Sequence, residues 1–167
     1  MEAYRLLILR GNRALGAYLA EKNLISDDDF SRANERLMDV LQEGRLDRAN
    51  LLEILCLELK VLQEDRVVAH IVEEFNLGLV DLDHVKVNPL AAELGFDKGM
   101  CVATGTIPFN YKSGIVCIAT TAYLSKPVIA HWENLLKKQV IWYTTGILSM
   151  LNAFSRFEEP AAPPAVN

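Results

Sequence analysis

At 167 residues, 51% of them hydrophobic and 23% charged, the chain is long enough to bury its own core and too apolar to be a disordered segment. A net charge of −5 works against sequence-independent nucleic-acid binding, which needs surplus Lys and Arg to displace phosphate counterions. Three widely separated cysteines, Cys56, Cys101 and Cys117, each lie in an apolar run and predict reduced, packed thiols in a cytoplasmic protein, not a disulfide framework.

The apolar run Leu6-Leu7-Ile8-Leu9 is too short for a signal core or a membrane span, and no later segment reaches spanning length, so any membrane association is expected to pass through a partner protein. From residue 13 to residue 75 apolar residues recur every three or four positions and proline is absent, which predicts helices. The first is expected over 13–21, broken at Lys22-Asn23. Ser26 caps the second, with Asp27, Asp28 and Asp29 at its positive end and Phe30, Ala33, Leu37, Val40 and Leu41 as its buried stripe. Asp47 is the expected cap of a third helix reaching residue 59, and Gln63 precedes a fourth that Asn76 closes.

Residues 15–37 and 52–74 share one plan at a separation of 37 positions: apolar helix, short break with an apolar pair, acidic helix start, second helix. Leu24-Ile25 answers Val61-Leu62, Asp27 answers Glu64 and Phe30 answers Val67. This is an internal repeat of a helical hairpin, a unit that must stack on a neighbour to cover its apolar face.

Past residue 77 short β-type runs alternate with turn residues. A strand is expected near 79–82, then a helix opened by Asn88-Pro89 and ended by Gly95, then strands over 101–108 and 114–120 joined as a hairpin. Ser125 caps a helix to about residue 138, followed by a strand over 139–143 and a closing helix over 146–157. The expected fold class is α+β: a four-helix subdomain of repeated hairpins (1–76), packed with a small α+β subdomain of order β-α-β-β-α-β-α on a mostly antiparallel sheet (77–157), and a flexible tail (158–167).

Catalytic chemistry is not legible. No Gly-Lys-Ser or Gly-Lys-Thr phosphate loop and no dinucleotide fingerprint is present, and Gly105 and Gly146 are lone glycines that fit turns. His70, His84 and His131 have no second ligand at metal spacing, so no metal and no cofactor is expected. Asp27-Asp28-Asp29 is accounted for by the helix dipole. Arg10-Gly11-Asn12-Arg13 flanks an expected helix start, which fits either an anion or a solvated face.

The repeated hairpin, the run from Phe75 to Leu82 and the Asn88-Pro89 helix together resemble the amino-terminal domain of the type II secretion and type IV pilus assembly ATPases, over about residues 13–157. The resemblance implies a domain that couples a motor ATPase to the cytoplasmic part of an inner-membrane platform protein and, in one branch, binds cyclic di-GMP through an Arg-Leu-Gly motif repeated in each hairpin. Leu15-Gly16 matches its Leu-Gly pair, but Ala14 stands at the Arg, Asn23 at the later Gly and Leu37 at the terminal Gln; the second copy has Leu51-Leu52-Glu53, Lys60 and Glu74 there. Two readings stay open: a non-catalytic protein-interaction domain, and a cyclic dinucleotide sensor using Arg13, Leu15, Gly16 and Leu19. The motor's own ATPase domain has no counterpart in this sequence.

Overall fold

The computed structural model describes residues 4–121 and 125–157; the tail expected over 158–167 lies outside them. Among the described residues eight helices and a four-stranded sheet form an α+β fold.

Helix α1 (Arg5–Glu21) begins eight residues before the expected start. Gly11 and Asn12 do not break it, because the Asn12 side chain is buried and used: its Nδ2 donates to the Ile8 carbonyl at 2.9 Å and the Ala49 carbonyl at 3.1 Å, while the Leu51 N–H donates to its Oδ1 at 2.8 Å. A polar side chain satisfied on both ends tolerates burial inside a helical pattern. Helix α2 (Asp27–Gln42) starts as expected, the Asp29 N–H donating to Ser26 Oγ at 3.1 Å, and buries Ala33, Leu37, Val40 and Leu41.

The third helix departs from expectation. Asp47 lies in a single 3₁₀ turn (Leu46–Arg48), and Asn50 is the cap instead, accepting from the Leu52 and Glu53 N–H groups. From there α3 (Leu51–Glu53) widens into a π-helical turn (Ile54–Glu58), with the Leu59 N–H donating to the Ile54 carbonyl at 2.8 Å. Helix α4 (Glu64–Phe75) ends at Asn76 in the left-handed region. The repeat is visible in the backbone. Asn23 and Lys60, 37 positions apart and both at places where the resembled motif carries Gly, each adopt φ 55°, and each is followed four residues later by a new helix. The left-handed turn explains why glycine suits that position.

In the second half β1 (Gly78–Leu79) is shorter than expected, and α5 (Val87–Leu94) starts one residue before Asn88, which is therefore not its cap. Residues 101–104, expected as strand, are helical. They belong to α6 (Lys98–Thr104), started by Asp97, whose Oδ1 accepts the Met100 N–H at 2.7 Å, and ended by Gly105 at φ 61°. A short apolar run such as Met100–Ala103 suits either state, and the caps decide. Strands β2 (Thr106–Lys112) and β3 (Ile115–Thr120) form the expected hairpin, with a tighter turn: Ser113 and Gly114, both at positive φ, are its two central residues. Then follow α7 (Lys126–Leu136), β4 (Gln139–Thr144) and α8 (Ile147–Arg156).

The strand order is β1-β4-β3-β2, with β4 parallel to both neighbours and only β2-β3 antiparallel. The expectation of a mostly antiparallel sheet is therefore wrong. The connection β3-α7-β4 passes through a helix, which returns the chain to the end where β3 began and makes the two strands parallel. Trp132 of α7 is buried on one sheet face and its Nε1 donates to Thr106 Oγ1 at 2.7 Å.

One apolar cluster gathers α1 to α4 and includes Ala103 of α6 and Ile147 of α8; the other gathers the inner sheet face with α5, α7 and α8. Polar ties join the halves: the Tyr4 hydroxyl donates to Asp97 Oδ2 at 2.9 Å, and Glu64 Oε1 accepts the Ile147 N–H at the start of α8.

Candidate functional site

Helices α1 and α2 meet tightly at Gly16. A Cβ there would lie 2.0 Å from Phe30 Cε2 and 2.8 Å from Leu51 Cδ2, so the missing side chain is the space in which the Phe30 ring sits. Toward the start of α1 the helices leave an open groove of about 670 Å³ lined by Leu6, Leu9, Arg10 and Arg13 from α1 and Phe30, Asn34, Leu37 and Met38 from α2. The positions fall at helical spacing on each side, so one face of each helix builds it. Leu6 is 57% exposed and Met38 42%. Arg10 and Arg13, the charged lining residues, are exposed and form no ion pair among the described residues.

Two ion pairs tie the helices together elsewhere in the hairpins. Arg36 Nε lies 2.7 Å from Glu58 Oε2, tying α2 to the π-helical turn, and Lys22 Nζ lies 3.0 Å from Glu74 Oε1, tying α1 to α4. Those partners raise both cations above their ordinary ranges and lower Glu74. Tyr18 and His70 share a 2.7 Å hydrogen bond beside the second pair.

Of the four residues expected to meet a ligand, Arg13 alone faces outward into the groove. Leu15, Gly16 and Leu19 are buried in the helical core. Arg13 and Leu15 are two residues apart, about 200° around the helix, so they cannot line one surface. Leu15 instead borders a smaller cleft of about 40 Å³, where Asn12, Asn50, Thr121 and Ser125 bring polar groups together between the halves. Leu6, Leu9 and Met38 were not among the expected site residues; the sequence signal for the first two was an apolar residue four positions before each of Arg10 and Arg13.

Among the described residues no group of three or more His, Cys, Asp or Glu could hold a metal, and no helix is long and apolar enough to cross a membrane. The cysteines are free, and burial pushes the Cys56 thiol up to about 12 and Cys101 well above its ordinary value, which suits packing and not nucleophilic chemistry.

The fold is that of the N-terminal domains of secretion and pilus assembly ATPases. The chain is similar to the N-terminal domain of XpsE, with 16% identity, a TM-score of 0.55 and coverage of 85% of this chain and 93% of that one. It is likewise similar to MshE, solved with cdg, at 18% identity and a TM-score of 0.52 over 86% of this chain and 98% of that one. In sequence it is 27% identical over 147 residues to the type IV pilus assembly ATPase PilB of Thermus thermophilus, which covers 87% of this chain and 16% of that relative's length. No family model matches the chain.

Proposed function

We propose that this chain is a non-catalytic interaction domain of a type II secretion or type IV pilus assembly system, acting in the cytoplasm and docking to a motor ATPase or to the cytoplasmic domain of an inner-membrane platform protein. The observation that carries the reading is the α1–α2 groove, where Leu6 and Met38 stay exposed beside two arginines without ion partners. Covering exposed apolar area is favourable, and carboxylates on a partner would offset the desolvation of the two arginines. The similarity to XpsE, MshE and PilB supplies the system. Division of the chain at residue 76 into a helical and an α+β unit belongs to the same reading.

Co-purification of the full chain with the cytoplasmic domains of the host's platform proteins, and with its motor ATPase, is the test. A stoichiometric complex is expected with one of them; no complex with any overturns the proposal.

The second reading, a cyclic dinucleotide receptor, draws on the similarity to MshE solved with cdg and on the outward position of Arg13. Burial of Leu15, Gly16 and Leu19 favours the interaction reading over it. Calorimetric titration with cyclic di-GMP decides: micromolar binding lost in Arg13→Ala would make the chain a receptor.

A further inference from the structure

The interaction reading leaves open what fills the groove, and the lining answers in chemical terms. We infer that the α1–α2 groove receives an amphipathic helix of a partner protein whose apolar stripe lies on Leu6, Leu9 and Met38 and whose flank carries carboxylates that meet Arg10 and Arg13. This rests on the interaction reading and names the partner chemistry for that site.

Charge complementarity is the first argument. In a chain of net charge −5 the charged groups of this groove are both cationic, and neither has an ion partner among the described residues. An anionic flank on the incoming element supplies what the molecule does not. Shape is the second. Two packed helices with an open seam present a concave, apolar-floored trough, the geometry that takes a third helix through residues at i, i+3, i+4 and i+7. Positions 6, 9, 10 and 13 repeat that spacing and span about 10 Å, two turns of a helix. Met38 adds a side chain that adapts to whatever packs on it. An anionic membrane is a poorer match, because a lipid surface meets convex basic faces, whereas these arginines stand beside a trough.

The test is fluorescence anisotropy of the full chain with labelled peptides tiled across the cytoplasmic segments of the host's platform proteins. A peptide with an apolar helical stripe flanked by Glu or Asp should bind, more weakly as salt rises. Affinity should fall at least tenfold in the double variant Arg10→Glu, Arg13→Glu, return when the peptide's acidic residues are changed to Lys, and stay unchanged in Lys112→Glu on β2. Both arginines are exposed, so the double variant keeps its fold, which circular dichroism verifies. Binding of an intact platform domain that the charge reversal leaves untouched would overturn this inference while sparing the interaction reading. Failure of every platform domain, every peptide and the motor ATPase would overturn both. Saturable binding to phosphatidylserine vesicles, lost on the same reversal and unmatched by any peptide, would show the groove to be a lipid contact and overturn the helix assignment.

Discussion

The Phe30 ring occupies the space that a side chain on Gly16 would need, at 2.0 Å from the ideal Cβ position. Helix α1 accepts glycine's weaker propensity there to let α2 approach, and Leu51 closes the gap from the other side at 2.8 Å. Gly16→Ala should therefore destabilise the protein by about 1–3 kcal/mol through overpacking, even though alanine gains about 1 kcal/mol of helix propensity. Chemical denaturation should show the loss partly recovered in Gly16→Ala with Phe30→Leu, because the smaller side chain frees the volume. A stable Gly16→Ala single variant would disprove the close contact.

Asn12 joins α1 to the start of α3 through two hydrogen bonds, one to the Ala49 carbonyl and one from the Leu51 N–H. Asn12→Leu would leave the Leu51 N–H and the Ala49 carbonyl unpaired in a buried place, at about 1–3 kcal/mol. The urea midpoint should fall, and hydrogen exchange at the Leu51 amide should accelerate more than at Leu41 in α2. Equal acceleration at both would mean that Asn12 contributes only to global stability.

Lys60 sits at φ 55° with a full side chain. Lys60→Gly should raise stability by about 0.5–1 kcal/mol, and Lys60→Val should lower it, because a β-branched residue resists that backbone. For a chain of this size 1 kcal/mol moves Tm by about 2–4 °C, which differential scanning calorimetry resolves. Gly and Val variants that melt together would remove the left-handed turn from the account.

Burial pushes the Glu53 carboxyl from 4.5 up to about 7, with Arg48 acting against the rise and Asp47 and Glu58 adding to it. The folded state then holds this proton more tightly than the unfolded one, so the contribution of Glu53 is favourable below about pH 4.5 and is lost as pH rises toward 7. Denaturant midpoints followed across that window should decline in the wild type relative to Glu53→Gln, which has no proton to lose. Parallel profiles for the two proteins would show that Glu53 titrates as a solvated carboxylate.

Much of the helical half was legible because its signals are local. Ser26, the Asp27–Asp29 turn and Asn76 act within a few residues of themselves, and the matching of Leu24-Ile25 with Val61-Leu62, Asp27 with Glu64 and Phe30 with Val67 carries the repeat. The misreadings lie where a distant contact decides. Asn12 reads as a helix boundary until its partners at residues 49 and 51 are in place, and Asp47, the expected cap, gives way to Asn50. Residues 101–104 had the apolar density of a strand, and only Asp97 and Gly105 tip them to helix. The sheet's parallel pairing depends on which strands become neighbours, which no short window encodes. The candidate site was half visible: Arg13 was singled out, but the groove beside it needs α2 laid against α1, and Leu15, Gly16 and Leu19 turn the other way.

Glu64 stands in the first turn of α4 and also accepts the backbone N–H of Ile147 in the first turn of α8, so the positive ends of two helices converge on a single carboxylate. Twisting the hairpins about the axis of α8 must pull unlike charges apart as well as open apolar surface. The hairpins are therefore tied to the sheet half at the start of α8 as well as through the turn at Asn76, by a contact 83 residues apart in sequence.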